Sequence, residues 1–137
     1  MGSFTDFLEH ELLDHVFGDQ AYTSSGTLHV GLSTTTITDA GGNDTEPVGD
    51  GYARVAIAND LTTWSDASAV GSGTKDNNIA ITFPEATASW GTIIDFAIYD
   101  NPTAGNMIGY GTLLASQAVT SGNTLQFASG ALDITLD

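Results

Sequence analysis

Apolar positions recur along this chain in two different rhythms. Between residues 3 and 17 (SFTDFLEHELLDHVF), Phe4, Leu8, Leu12 and Val16 return every four residues, with Phe7 and Leu13 widening the stripe. That spacing predicts an amphipathic helix. Ser3 stands where an N-cap belongs, Asp6 puts negative charge near the positive helix end, and Gly18 supplies the stop. The stripe must bury against the body of the domain or against a partner. Acidic residues interrupt it and no basic segment precedes it, so it does not read as a signal peptide.

Beyond residue 26 the rhythm changes to two. Thr27–Ser33 places Leu28, Val30 and Leu32 on one face, with His29 opposite. A long polar loop follows over 34–51 (TTTITDAGGNDTEPVGDG). Further strands are predicted over 52–58, 78–83, 93–99, 107–114, 124–127 and 131–136, separated by segments rich in Gly, Asn, Asp and Ser. Pro84 ends one of them, and 65–77 reads as a polar turn. The pattern predicts an all-β fold, an antiparallel, jelly-roll-like β-sandwich over 19–137 preceded by a short N-terminal α-helix as an arm over 1–18.

Composition narrows the function. The 137 residues are 41% apolar and contain no cysteine, which excludes disulfides, thiolate metal sites and cysteine nucleophiles. Seventeen acids face two bases, Arg54 and Lys75, for a formal charge of -15. Two cations cannot neutralise a nucleic-acid backbone, so no direct nucleic-acid partner is expected, nor an anionic membrane. The same imbalance reads either as solubility or as adaptation to molar salt, where a Debye length of about 3 Å removes the cost of self-repulsion.

Candidate chemistry is sparse. His10 and His15 are five apart, about 140° around a helix, and cannot share a metal. The glycines of Gly41-Gly42 and Gly71-Ser72-Gly73 lack phosphate-loop or dinucleotide spacing and read as turns. Asn43-Asp44-Thr45 is formally a glycosylation acceptor. Asp39, Asp44, Glu46 and Asp50, with Asn43, crowd the 34–51 loop. They are weak candidates for a structural cation such as Ca²⁺ or Mg²⁺, although the EF-hand spacing is absent. No other cofactor and no enzymatic activity are expected. Trp64 and Trp90 sit beside strand ends among small residues, either as core or interface fillers or as sugar-stacking platforms.

Several segments, taken together and in order, resemble a family of small virion proteins of tailed viruses, known as tail-fibre or head-decoration proteins. They are LLDHVFG at 12–18, HVGLST at 29–34, EPVGDGYARVAIAN at 46–59 and the isolated Trp64. NNIAITFPEATASWGTIIDFAIYD at 77–100, GNMIGYGTL at 105–113 and SGNTLQFASGALDITL at 121–136 complete the set. The resemblance implies a structural protein on the outer surface of the virion. It points first to a capsid decoration, cement or turret component on the assembled major capsid protein shell. The alternative is a tail-fibre or baseplate module binding a host receptor or glycan. A homo-oligomer, with a trimer preferred, and contacts with other virion proteins follow from it. The scarcity of cations departs from the family pattern and fits a haloarchaeal virus. On the first reading Phe4, Phe7, Leu8 and Leu12 are the interface candidates. On the alternative, Tyr52, Trp64 and Tyr110 are the receptor or glycan contacts.

Overall fold

A computed structural model describes residues 2–67 and 73–136. In chain order the elements are β1 (Gly2–Phe4), α1 (Asp6–Phe17), β2 (Thr27–Ser33), β3 (Val55–Ala58), β4 (Thr74–Asp76), β5 (Ile81–Thr82), β6 (Gly91–Tyr99), β7 (Met107–Val119), β8 (Gln126–Phe127) and β9 (Asp133–Thr135). Seven strands form one sheet in the order β3-β2-β6-β7-β1-β9-β4, and β5 pairs with β8 separately. Neighbours run antiparallel except β1 and β9, which are parallel where Gly2 meets Ile134.

The fold is all-β with one short helix, but it corrects the expected closed sandwich. The large sheet curls into an open half-barrel, and the second layer is reduced to the two-strand β5–β8 ribbon. Register shifts in the β6–β7 pair, between Ile93 and Asp95 and between Ile98 and Tyr99, add local bend to the sheet's natural twist.

The expected helix start is also corrected. Residues 2–4 are a strand rather than a helical first turn, because their backbone pairs Gly2 with Gly111 and Phe4 with Gly109. Ser3 therefore belongs to β1, and Thr5 is the N-cap. The Thr5 hydroxyl donates to the Met107 carbonyl, tying the turn to β7 instead of capping α1. At Gly111 a Cβ would lie 2.7 Å from the Phe96 ring and 2.8 Å from Gly2 Cα, so glycine permits the close β6–β7–β1 approach. The helix ends at Gly18 as predicted.

Leu28, Val30 and Leu32 enter the main core as the alternation requires, with Ile57, Ile81, Phe83, Phe96, Ile98 and Phe127. β6 does not alternate between core and solvent. Asp95 to Tyr99 is buried on both faces, because the 34–51 loop lies over the outer face and makes a second cluster of Ile37, Ala97, Tyr99 and Met107. The strand expected over 52–58 begins at Val55, since Tyr52 N–H closes a turn onto the Gly49 carbonyl. Part of the predicted 65–77 turn is instead β4, and Gly71-Ser72 lie outside the described residues.

Candidate functional site

The outer face of β2 and β6 carries a charged network that holds the long loop down. Gly31 makes room for it, because a Cβ there would lie 2.7 Å from Glu46 Oε1 and 2.9 Å from Tyr99 Cε2. Arg54 donates to Glu46 through Nη2 at 2.7 Å and through Nε to both carboxylate oxygens at 3.1 Å. Its Nη1 donates to the carbonyls of Asn101 and Ala104 at 3.0 and 2.8 Å. The guanidinium lies over the Tyr99 ring, 3.3 Å from its centre, so one cation is held by charge, hydrogen bonds and a π face together. The Tyr52 hydroxyl donates to Glu46 and accepts from Leu32 N–H, while the Tyr99 hydroxyl donates to Asp44 at 2.6 Å. Asp95, 1% exposed, accepts from Ile37 N–H at 2.7 Å.

These contacts have a pH signature. Burial, reinforced by the hydrogen bond to Glu46, pushes the Tyr52 hydroxyl well above the ordinary tyrosine range. Burial and the bond to Asp44 do the same for Tyr99. Burial opposes the Arg54 charge, but Glu46 outweighs it and the guanidinium is held even more firmly protonated. A group whose folded pKa is raised stabilises the fold fully below its unfolded value, and that stability is lost as pH rises. Stability should therefore fall above about pH 10, the ordinary tyrosine value. In an ultraviolet titration, Tyr52 and Tyr99 are expected to ionise together with unfolding. Their ionisation near pH 10 in a still-folded protein would contradict the network.

The helix presents a second surface. α1 packs on β1 and β7, and Leu8 is buried while Phe4, Phe7 and Leu12 are half-buried. Phe4 and Leu8 thus face the inner side of the curled sheet, where they line a cavity of about 470 Å³. The outward residues are Leu13, Val16 and Phe17, the last 83% exposed. They flank a second depression of about 490 Å³ that shares Phe4 and Leu136 with the first.

The remaining candidates do not converge. Asp44 and Glu46 are engaged by Tyr99 and by Tyr52 and Arg54. Asp50 contributes its carbonyl to Trp90 Nε1 at 2.9 Å. Asp39 instead meets Asp6 and Glu9 at the helix start, where one carboxylate oxygen from each lies within 4.8 Å of the others. That trio, and not the loop acids as a group, could coordinate a cation. Trp64 and Trp90 are each 5% exposed and belong to the main core. Tyr52 lies under the loop, and Tyr110 is half-buried with its hydroxyl 3.4 Å from Asp39. His10 and His15 are exposed on α1, and His29 is buried in β2.

Over residues 3–135 the sequence matches the family described as podophage GP4 fiber I protein gp80. The chain belongs to this family. No curated protein sequence matches it. Membership makes this a structural virion protein of a tailed phage, of fibre type. Its ordered charges fit that role, because Arg54 and its partners fasten a loop to a sheet.

The Arg54–Glu46–Tyr99 assembly has no sequence motif, since its members come from the long loop, the residue before β3 and the end of β6. One signal could have found it. In a fibre protein with only two Lys and Arg residues, an arginine immediately before the small-residue strand Val55–Ala58 marks a position where charge is needed.

Proposed function

We propose that this fibre-type protein is a compact module of the tail fibre or baseplate that binds a receptor or glycan on the host surface. The match of residues 3–135 to a fibre-protein family is the observation that carries this reading. The fold supports it. A packed core and a loop fastened by Arg54 give a rigid body, and rigid scaffolds are what recognition surfaces are built on. On this reading the module stands on the outer surface of the virion as a homo-oligomer, preferably a trimer. The apolar helix face of Leu12, Leu13, Val16 and Phe17 attaches it to neighbouring virion proteins.

The test is adsorption. Fluorescently labelled protein should bind host cells saturably and compete with virions for attachment, and glycan removal from the cells should abolish a glycan-directed interaction. Absence of binding to cells, with binding to purified phage heads instead, would overturn the proposal in favour of capsid decoration.

The charge of -15 further supports a virus adapted to concentrated salt, including a haloarchaeal one. Raising NaCl from about 0.1 M to about 1 M shortens the Debye length from about 10 Å to about 3 Å and relieves self-repulsion. The melting temperature should rise across that range. A flat or falling melting temperature would argue against the salt-adapted reading.

A further inference from the structure

The β6–β7 pair contains an excursion. Ile93 faces Gln117 and Asp95 faces Thr112, so residues 113–116 of β7 stand opposite Ile94 alone. Leu113 packs back against the core and anchors the base of this tip. Leu114 points the other way and is 103% exposed. Ala115, Ser116, Gln117 and Ala118 are exposed beside it. A leucine held out on an anchored strand is a preformed apolar knob.

The same chain carries a socket. The cavity of about 470 Å³ on the inner face is walled by Phe4, Leu8, Trp64, Ile98, Ile134 and Leu136. A closed apolar cavity of about 150 Å³ already holds a benzene ring, so this one admits a whole loop tip. The tip cannot serve its own socket. Ile108 lines the cavity, and Leu114 lies six residues farther along the same strand, roughly 20 Å at the usual rise.

Charge selects the occupant. Between residues 101 and 132 the sequence has no Asp, Glu, Lys or Arg, although the whole chain carries -15. The tip lies inside that uncharged stretch, so a second copy can present it without bringing acid against acid at the point of contact.

We propose that copies of this chain associate head to tail, the Leu114 tip of one protomer entering the cavity of the next. This goes beyond the receptor-binding reading, whose homo-oligomer it supplies with a contact, and the adsorption test of that reading is independent of it. Such a contact is heterologous, and it closes into a ring or continues as a filament according to the rotation between copies.

Sedimentation velocity in about 1 M NaCl, where repulsion is screened, tests it with two exposed-site variants. Leu114→Asp spoils the tip, and Leu136→Asp, at a residue 57% exposed on the cavity wall, spoils the socket. The wild type is expected to grow in mass with concentration, and each variant to remain monomeric with an unchanged melting temperature. An equimolar mixture of the two should form 1:1 dimers and nothing larger, because one intact tip and one intact socket remain. A wild type that stays monomeric, a Leu114→Asp variant that associates like the wild type, or a mixture that stays monomeric would each overturn the proposal.

Discussion

Glu46→Ala is expected to destabilise the protein by about 3 kcal/mol, in the range found when one partner of a buried ion pair is removed. The Arg54 side chain is 8% exposed and that of Glu46 22%, so water cannot readily replace the lost carboxylate. The substitution also leaves the Tyr52 hydroxyl without its acceptor and frees the loop segment that covers Ala97 and Tyr99. At roughly 4 °C per kcal/mol for a domain of this size, the melting temperature should drop by about 12 °C. Glu46→Gln, which keeps an acceptor for Tyr52 but loses the charge, should fall between the two. Hydrogen exchange supplies the local readout. The Ile37 and Thr45 amides, bonded to Asp95 and Ser33, should lose protection before those of β2. A melting temperature within about 1 °C of the wild type would show that the network does not hold the loop.

Phe83→Ala should cost about 3–5 kcal/mol, the range for a buried phenylalanine. Phe83 is 2% exposed, and its ring lies 6.3 Å from both Tyr52 and Phe127, parallel to the first and edge-on to the second. It follows the short β5 strand and joins the β5–β8 ribbon to the half-barrel, where no complete second sheet shares the load. Denaturant unfolding measures the effect as a lower midpoint at an unchanged slope. Phe83→Leu, which keeps most of the apolar volume, should lose less. A loss below about 1 kcal/mol for the alanine variant would mean that the ribbon is not part of the cooperative core.

The two effects meet at Tyr52, and that meeting explains what sequence reading could and could not reach. β2 is legible because one face meets a continuous core, so Leu28, Val30 and Leu32 alternate with residues of another kind. The body of α1 and its stop at Gly18 are legible for a local reason, the four-residue spacing of Leu8 and Leu12 and the glycine that ends it, although only Leu8 of the stripe is buried. β1 is not. Gly2-Ser3-Phe4 has no periodicity of its own and becomes a strand only through pairing with Gly109 to Gly111, more than a hundred residues away. β4 is three residues, Thr-Lys-Asp, whose polarity imitates a turn.

The sandwich expectation fails for a related reason. Seven or so strand signals do not say how many join one sheet, and here seven pair in one continuous order. The 34–51 loop misleads through its composition. Its threonines, glycines and acids read as solvated, yet Ile37 is 4% exposed and Glu46 sits in the network against β2. The polar residues serve as fasteners over an apolar patch. Loop acids that looked like cation ligands are for the most part acceptors for tyrosine, arginine and backbone donors, and only their three-dimensional partners reveal it.

Copy number per purified virion, measured by quantitative mass spectrometry against the major capsid protein, tests the fibre account most directly. The account predicts on the order of a few to a few dozen copies, as the symmetry of a tail or a unique vertex allows. Hundreds of copies, in simple ratio to the shell protein, would contradict it and place the chain on the head.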